Sequence, residues 1–266
     1  MTMFRYSFPE GLYEVSHKRV EHPTGECYNN HVHSYCEILL FISGNADYNI
    51  DGTLYSPKPY DLLLIADAKY HYLIPKDNVP YENYVIGFDR SLISEERYTG
   101  IFPDSHIINI RDNAEMCGVF RRRDKYHDIC TREDFCECAR LIISEMLIYL
   151  SLMPKNHGFH ETYSNTRVSS MIALIDEHIT EELNADIIAK KLFLSRSYVQ
   201  NVFSKVMHIG IKKYINQKKV LLAAKDIEKG MSPKDAAEKY AFSDYSSFYR
   251  SFRSVLGASP CEKQHH

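Results

Sequence analysis

The sequence predicts an α+β protein with a β-barrel or β-sandwich at the N-terminus and an all-α domain at the C-terminus. Three observations support this fold class. Short runs rich in β-branched and aromatic residues, separated by turn sequences, fill residues 1 to 90. Apolar residues then recur with the period of a helix from residue 112 onward. The length of 266 residues is also sufficient for two separate hydrophobic cores.

The N-terminal strands are short and closely spaced. The clearest predicted strands are the runs EILLFIS (37–43), ADYNI (46–50), LLLIA (62–66) and NYVIGFD (83–89). Asp51-Gly52 lies between YNI and TLY and favours a tight hairpin turn. Such a turn requires positive φ at both central residues, and Asp and Gly tolerate positive φ. Many short strands at this spacing are typical of a sandwich or a barrel, and we assign residues 1–110 to this domain.

Residues 111–153 read as a helical segment that forms an antiparallel helix pair. The second helix carries an apolar stripe that exceeds what packing on one face of a barrel requires, so dimerisation and packing within the domain are both open. Arg121, Arg122 and Arg123 are expected on a solvated helix face. Residues 154–166 (PKNHGFHETYSNT) are polar and without periodicity, and we predict a linker there.

Composition narrows the class of protein. The start MTMFRYSFPE lacks the apolar region of a signal peptide, and the longest apolar stretch (141–153) is too short to span a bilayer, so we expect a cytoplasmic protein without a membrane partner. Seven cysteines without CxxC spacing indicate reduced thiols. Residues 165–266 carry 16 Lys and Arg against 11 Asp and Glu, whereas the remainder carries 16 against 24. This asymmetry favours a polyanionic partner for the C-terminal part.

The helical C-terminal domain, assigned to residues 167–266, contains an internal repeat. Residues 184–206 (NADIIAKKLFLSRSYVQNVFSKV) resemble residues 232–255 (SPKDAAEKYAFSDYSSFYRSFRSV), and each copy reads as a short helix, a turn and a second helix. The second helices align at an offset of 49 residues, with Ser195 and Ser243 as predicted N-caps. Two helix–turn–helix units in one domain are therefore predicted. A helix over 211–229 separates them by about 28 Å, close to the spacing of about 34 Å between major-groove faces on one side of B-DNA.

The outward faces of both second helices carry side chains suited to DNA. An Arg fork matches guanine O6 and N7, Gln and Asn match adenine N6 and N7, and Tyr, Ser and Lys reach bases or phosphates. The predicted DNA-binding residues are Arg196, Ser197, Gln200, Asn201, Lys205, Tyr245, Ser246, Tyr249, Arg250 and Arg253. Phe248, Phe252 and Val255 occupy the opposite face and are predicted to point into the core. The alternative is that these polar residues are an ordinary solvated helix face.

Residues 168–262 resemble the DNA-binding domain of AraC-type transcriptional regulators. The stretch AAEKYAFSDYSSFYRSFRSVLGASPCE follows the family pattern A-x-x-x-G-F-S-D-x-S-Y-F-S-R-x-F-K-x-x-x-G-x-S-P at most positions. Departures include Tyr240-Ala241 in place of Val-Gly, Ser247 in place of Tyr and Asn201 in place of Arg. The resemblance implies double-stranded DNA and RNA polymerase as partners, and dimerisation through the helical segment.

The stretch HVHSYCEILLFISG resembles the first cupin motif, H-x-H-x3-E, through His31, His33 and Glu37. Two imidazoles two residues apart on one strand face, with this carboxylate and His71, form a plausible ligand set for a divalent ion. The second cupin motif is matched only at His71. AraC-type regulators with this segment use the barrel as a metal-free effector pocket, so the resemblance implies an effector site at His31, His33, Glu37, Tyr48 and His71, with no metal and no cofactor.

Together these observations predict a DNA-binding transcriptional regulator, not an enzyme, whose cupin-like domain senses a small-molecule effector. A sugar is one candidate, since tyrosines near the barrel would stack on it. Two rival functions remain open. A cupin-type metalloenzyme, such as a dioxygenase or isomerase with a helical appendage, would hold stoichiometric metal. An architectural DNA-binding protein without a ligand would have a barrel filled by side chains.

Overall fold

In the computed structural model of this chain, the described residues are 2–6, 12–23, 31–102, 106–153 and 162–263. Backbone contacts divide the chain into two compact units. The first comprises residues 1–29, 35–50 and 54–162, and the second comprises residues 30–34, 51–53 and 163–266.

The described residues contain ten strands, and all but the last lie in the N-terminal part of the chain. They are β1 (Thr2–Tyr6), β2 (Leu12–Val20), β3 (Cys36–Ser43), β4 (Ala46–Ile50), β5 (Thr53–Tyr55), β6 (Asp61–Ile65), β7 (His71–Pro75), β8 (Tyr81–Phe88), β9 (His106–Asn109) and β10 (Thr162–Ser164). One sheet has the order β1-β2-β8-β3-β6-β9 and the other has the order β10-β5-β4-β7. The four clearest strands predicted from sequence are confirmed as β3, β4, β6 and β8, whereas β9 and β10 lie where no strand was predicted.

The hairpin between β4 and β5 turns where the sequence predicts. Asp51 has φ 44° and Gly52 has φ 80°, and positive φ at both central residues belongs to the two-residue turn that matches the twist of antiparallel strands. Asp tolerates this region better than most residues with a Cβ, and Gly adopts it without strain. The Asp51-Gly52 prediction is therefore confirmed.

Three helices accompany the six-stranded sheet: α1 (Glu95–Ile101), α2 (Ala114–Ile129) and α3 (Arg132–Leu152). The helix pair predicted within 111–153 is confirmed as α2 and α3, while α1 was not foreseen. Apolar side chains of β3, β6 and β8 pack with those of α2 and α3 in one core cluster. Thr131 begins α3 by accepting a hydrogen bond from the Asp134 backbone N–H, which satisfies one of the orphan donors of the first turn.

Arg123 corrects the expectation of a solvated arginine run. Its side chain is fully buried, its guanidinium carbon lies 4.1 Å from the centroid of the Tyr84 ring, and its Nη2 donates to Asp124 at 2.9 Å. Desolvation lowers the pKa of Arg123, against the opposing effect of Asp124. Arg123 Nη1 also donates to the carbonyl oxygen of Ser16 at 3.3 Å. The burial of Arg123 could not be predicted from the sequence, because Ser16 and Tyr84 are both distant from it along the chain.

The C-terminal part is helical. Its helices are α4 (Thr166–Glu177), α5 (Ala185–Lys191), α6 (Arg196–Met207), α7 (Ile211–Glu228), α8 (Pro233–Lys239), α9 (Tyr245–Leu256) and α10 (Pro260–Lys263). Helix α7 occupies the predicted 211–229 range within one residue. Ser232 caps α8 by accepting from Asp235 N, and Pro233 occupies the first helical turn, where its missing N–H costs nothing.

The two copies of the repeat form two helix pairs, α5–α6 and α8–α9. The first helices begin 48 residues apart and the second helices begin 49 residues apart, so the second turn is one residue longer. Ser195 caps α6 as predicted, but α9 is capped by Asp244 and not by Ser243. Asp244 takes the cap because its two carboxylate oxygens serve the Ser247 N–H and neighbouring hydroxyls together, whereas Ser243 donates to it at 3.0 Å.

The predicted linker falls largely on residues 154–161, which lie outside the described residues. The histidines of the H-x-H stretch precede the sheet: His31 makes an isolated bridge, His33 lies in coil, and β3 begins only at Cys36. The expectation that both imidazoles share one strand face is therefore wrong. Glu37 and His71 do lie on strands, β3 and β7. Within the described residues, no helix has the length and apolar character needed to cross a bilayer.

Candidate nucleic-acid interface

Helix α9 separates its apolar and polar residues by face. Phe248 and Phe252 are fully buried, and Phe248 makes edge-on ring contacts with both Phe242 and Phe252, at centroid distances of 5.1 and 5.4 Å. Val255 is half-buried beside them, so the core-facing set predicted for this helix is confirmed. A buried aromatic row of this kind fixes the rotation of the helix about its axis, and hence the direction of its other face.

The predicted DNA-binding residues of α9 lie on its outer side. Tyr245 is 42% exposed, Ser246, Arg250 and Arg253 are exposed, and Tyr249 is half-buried. Exposed Arg, Ser and Tyr side chains on the first two turns of a helix are suited to hydrogen bonds with base edges or phosphates. The contact of each one with DNA stays a prediction.

Helix α6 repeats this arrangement at the positions 49 residues earlier. Val199 and Phe203 are fully buried where α9 has Phe248 and Phe252. The predicted DNA-binding residues Arg196, Ser197, Gln200, Asn201 and Lys205 are all exposed. Arg196 forms an ion pair with Asp186 of α5, with Nη1 and Oδ2 3.1 Å apart. Both side chains are well exposed, so the pair is weak and leaves Arg196 able to exchange to a phosphate.

A network of hydrogen bonds surrounds the N-terminus of α9. Asp244 accepts from the Ser247 backbone N–H at 2.7 Å and from the Ser247 hydroxyl at 2.8 Å. Arg250 Nη2 donates to the Ser247 hydroxyl oxygen at 3.2 Å. The Ser247 backbone N–H, followed by the Ser247 and Ser243 hydroxyls, holds the pKa of the Asp244 carboxyl below its ordinary value, with a smaller contribution from the Arg250 charge. Sequence reasoning named Arg250 but missed Asp244 and Ser247 as its neighbours.

Helix α7 packs against the second helix pair, α8–α9. Val220, Ala223, Ala224 and Ile227 of α7 pack with Ala236 and Ala237 of α8 and with the buried phenylalanines of α9. Small alanines at the contact allow two helix backbones to approach closely. The second pair therefore sits on a rigid helix, and the direction of α9 follows from that packing.

Two lysines of α7 do not contribute to the exposed positive surface. Lys218 Nζ lies 2.5 Å from Oδ1 of Asp176, and Lys219 Nζ donates to the carbonyl oxygen of Glu181 at 2.7 Å; both lysines are buried. Burial lowers the pKa of Lys219. The local surplus of five positive charges counted from sequence therefore overstates the charge available to a polyanion, since buried cations act mainly inside the domain.

The predicted effector residues near the first cupin motif lie together. His31, His33, Glu37 and His71 each offer a ligand atom, and these atoms lie within 4.8 Å of one another. His71 Nδ1 lies 3.0 Å from the carbonyl oxygen of Lys69, which can only accept a hydrogen bond. His71 Nε2 lies 3.7 Å from Glu37 Oε2.

Tyr48 belongs to a different environment. It is buried in the core cluster formed by both sheets, and its hydroxyl accepts a hydrogen bond from Asn83 Nδ2 at 3.3 Å. Its ring therefore packs against apolar neighbours, and its hydroxyl group contacts the buried side-chain amide of Asn83. Sequence reasoning did not identify Asn83, because it lies within the apolar run of β8.

Comparison with known proteins adds to this geometry. Residues 188–265 match a helix-turn-helix domain family, and residues 19–146 match the family described as AraC-like ligand binding domain. Regulatory protein SoxS of Escherichia coli (strain K12) is 35% identical over 99 residues, which is 37% of this chain and 92% of SoxS. The HTH-type transcriptional activator AarP of Providencia stuartii is 28% identical over 102 residues, 38% of this chain and 76% of AarP.

Among solved structures, ToxT from Vibrio cholerae aligns over 96% of this chain and 98% of its own, with 14% identity and a TM-score of 0.41. The two matched domains and the SoxS relationship agree with the paired helices and the β-rich N-terminal unit. The chain belongs to the AraC family of transcriptional regulators, with an AraC-like ligand-binding domain followed by a helix-turn-helix DNA-binding domain.

Proposed function

We propose that α5–α6 and α8–α9 are two helix–turn–helix units that present α6 and α9 to successive major grooves on one side of DNA. The observation that supports this proposal is that α6 and α9 each have one buried apolar face and one exposed polar face. The buried residues lie at matching positions: Val199 and Phe203 on α6, and Phe248 and Phe252 on α9. Helix α7 has 18 residues, about 27 Å at 1.5 Å per residue, against a groove repeat of about 34 Å.

Within this interface the residues divide by role. Arg250 reads guanine through its fork, and Gln200 with Asn201 reads adenine through paired donors and acceptors. Tyr245, Ser246, Tyr249, Arg196 and Ser197 supply contacts to bases or phosphates near the helix N-termini, whereas Lys205 and Arg253 lie further along and contact the backbone. The exposure of nine of these ten side chains supports the assignment, and Tyr249 is half-buried.

The AraC-like ligand-binding domain binds a small-molecule effector within a cupin-like barrel, at a site that includes His31, His33, Glu37 and His71. The clustering of four of these ligand atoms within 4.8 Å supports a polar site. Imidazole and carboxylate groups together suit a ligand with several hydroxyls, such as a sugar. Effector binding then shifts the population between promoter-competent and incompetent arrangements.

Helix α3 provides the homodimer contact in this proposal. Leu141, Ile148, Tyr149 and Leu152 are 70%, 43%, 36% and 78% exposed, and they follow one side of the helix. A row of exposed apolar side chains on a helix costs free energy in water and is typical of an interface with a second copy. RNA polymerase is a further partner for a regulator of this family, and the cytoplasm, where the DNA is, would be its location.

The test is selection of bound fragments from random DNA by the full-length purified chain, with and without an extract of cell metabolites. We expect enrichment of a bipartite site whose halves lie about one helical turn apart. We also expect the extract to change the yield of bound fragments. If the selection enriches no sequence, the proposal that α6 and α9 enter successive major grooves is contradicted. It is also contradicted if a single half-site is enriched and substitutions in α6 do not affect its binding.

The second candidate is a cupin-type metalloenzyme, and one observation favours it: His31, His33, Glu37 and His71 form a donor set typical of a first-row divalent ion. Metal analysis of the purified chain separates the candidates. Stoichiometric Fe, Mn, Ni or Zn that is lost in both His31→Ala and His71→Ala would favour the enzyme. A metal-free protein that retains specific DNA binding would favour the regulator without a cofactor.

A further inference from the structure

Arg250 does not project from α9 as an isolated flexible side chain. Its Nη2 atom donates to Ser247 Oγ at 3.2 Å, and that hydroxyl donates in turn to Asp244 Oδ2 at 2.8 Å. Asp244 is itself fixed, because its other oxygen caps the helix at the Ser247 N–H, 2.7 Å away. The three side chains therefore form a chain of hydrogen bonds that ends on the N-cap residue of the helix.

The direction of each bond in this chain is determined. A carboxylate only accepts and a guanidinium only donates, so the single hydroxyl proton of Ser247 points to Asp244 and a lone pair faces Arg250. Each bond involves one ionised group: the hydroxyl lies 2.8 Å from the Asp244 carboxylate and 3.2 Å from the Arg250 guanidinium. The described side-chain hydrogen bond of Arg250 uses one N–H of Nη2. The second N–H of Nη2 can still act with the adjacent donor on its own side of the planar group, Nη1 or Nε, as a paired edge that faces a base.

Helix α6 has no equivalent of this arrangement. The positions that match Asp244, Ser247 and Arg250 carry Ser195, Tyr198 and Asn201. Ser195 caps its helix through the Tyr198 N–H at 3.2 Å, and the next side chain along is a phenol, 41% exposed. The chain of three groups is thus present on α9 and absent from α6, and Ser247 stands where the family pattern has Tyr.

We propose that Ser247 is a positioning residue for DNA recognition, which holds Arg250 in the orientation that reads one base and so sets the specificity at that base position. This inference rests on the proposed function, since it requires α9 to enter a groove. A long arginine side chain loses considerable rotamer entropy when it is ordered on a base, and a side chain ordered beforehand loses less on binding. Ser247 touches Arg250 rather than the base, so its effect on sequence preference passes through Arg250.

The test compares base-preference profiles of full-length variants, obtained by selection from random DNA and then by titration of single-base variants of the selected site. Arg250→Ala identifies the base position that Arg250 reads. Ser247→Ala is expected to lower discrimination at that same position about tenfold and to leave the other positions unchanged. Ser247→Thr keeps the hydroxyl and is expected to retain the wild-type profile. The double variant Ser247→Ala/Arg250→Ala is expected to discriminate no worse than Arg250→Ala alone.

Ser254→Ala is the matched control, because Ser254 is exposed on the same helix and has no part in the proposed interface. Ser247→Ala keeps the backbone N–H that Asp244 caps, so we expect its melting temperature to equal that of the control. A wild-type profile in Ser247→Ala, or loss at a different position from that of Arg250→Ala, would overturn the positioning role. An Arg250→Ala variant with no altered position would also overturn it, while specific binding by the parent chain would stand. If the parent chain selects no sequence, the proposed function itself fails.

Discussion

The Tyr240 hydroxyl donates a hydrogen bond of 2.8 Å to Oδ2 of Asp226, and so ties the end of α8 to the last turns of α7. The same oxygen accepts from Lys239 Nζ at 2.7 Å. Burial raises the pKa of the Asp226 carboxyl, but the hydrogen bonds from Lys239 and Tyr240 outweigh it, and the net pKa lies below the ordinary value. One carboxylate therefore links α7 to the C-terminal end of α8, in addition to the apolar packing between these helices.

We predict that Asp226→Asn lowers the free energy of unfolding by about 1–3 kcal/mol, because it removes a charged acceptor from two donors, one of them largely buried. The folded-state pKa of Asp226 is depressed, so its contribution is complete above about pH 4 and is lost as pH falls through the lower, folded-state pKa. The variant should therefore lose less stability on acidification from pH 5 to 3 than the parent chain. Chemical denaturation at each pH measures this, with the exposed Glu238→Gln on α8 as control. Equal acid sensitivity of Asp226→Asn and the parent chain would contradict it.

We predict that Arg250→Ala weakens binding to the selected DNA site by about 1–3 kcal/mol and relaxes one base position. The reason is the loss of a bidentate contact to a base edge, which no neighbouring side chain replaces. Titration of the chosen site and of its single-base variants measures both quantities. Unchanged affinity together with unchanged base preference would refute the base-reading role of Arg250.

We predict that Lys205→Ala weakens binding to all sequences alike, because a lysine near the end of α6 contacts a phosphate and not a base. The slope of log affinity against log salt concentration should fall by about one unit, since one fewer counterion is released. Binding to selected and random DNA at several salt concentrations measures the effect. A loss confined to one sequence would show that Lys205 reads a base instead.

We predict that Leu152→Glu on α3 weakens self-association at least about tenfold, because it removes one buried leucine from the interface and places a charge there. Sedimentation equilibrium over a range of concentrations measures the dimer fraction. Leu152→Met keeps the apolar character and should dimerise like the parent chain. If Leu152→Glu and Leu152→Met have the same mass distribution as the parent, α3 is not the dimer contact.

We predict that Phe193→Gly stabilises the fold by roughly 0.5–1 kcal/mol. Phe193 has φ 55° in the turn between α5 and α6, a region that strains any residue with a Cβ, and its ring is 96% exposed, so little packing is lost. Thermal denaturation measures the gain. Phe193→Ala removes the ring but keeps the strain, so an equal rise in melting temperature for both variants would point to the ring and not to φ.

Much of the C-terminal architecture is readable in the sequence because it rests on local rules. Val199, Phe203, Phe248 and Phe252 recur at helical spacing, and each second helix starts after a residue able to cap it. The identity of the α9 cap was less certain, since Ser243 and Asp244 are adjacent and both are good caps. In the structure Asp244 is the cap, with extended φ and ψ and with its carboxylate bonded to the Ser247 N–H and hydroxyl.

The features that sequence reasoning missed depend on contacts between distant parts of the chain. Arg123 lies in a run of charges that reads as solvated, yet Tyr84, almost forty positions away, provides the ring on which it stacks. Lys218 reads as one more basic surface residue, but it is buried and pairs with Asp176 of α4. No local periodicity reports such pairings. The burial of a charged side chain therefore had to come from the structure.

The extra residue in the second turn limits how the two copies can be exchanged. The first copy occupies 23 residues from the start of α5 to the end of α6, and the second occupies 24 from the start of α8 to the end of α9. If one helix pair is transplanted into the place of the other, its own turn must be transplanted with it. The difference of one residue lies in the turn, and a loop accommodates a change in length that a helix cannot. A change of DNA sequence preference by exchange of segments should therefore replace a complete helix pair, α5–α6 or α8–α9, together with the turn between its two helices.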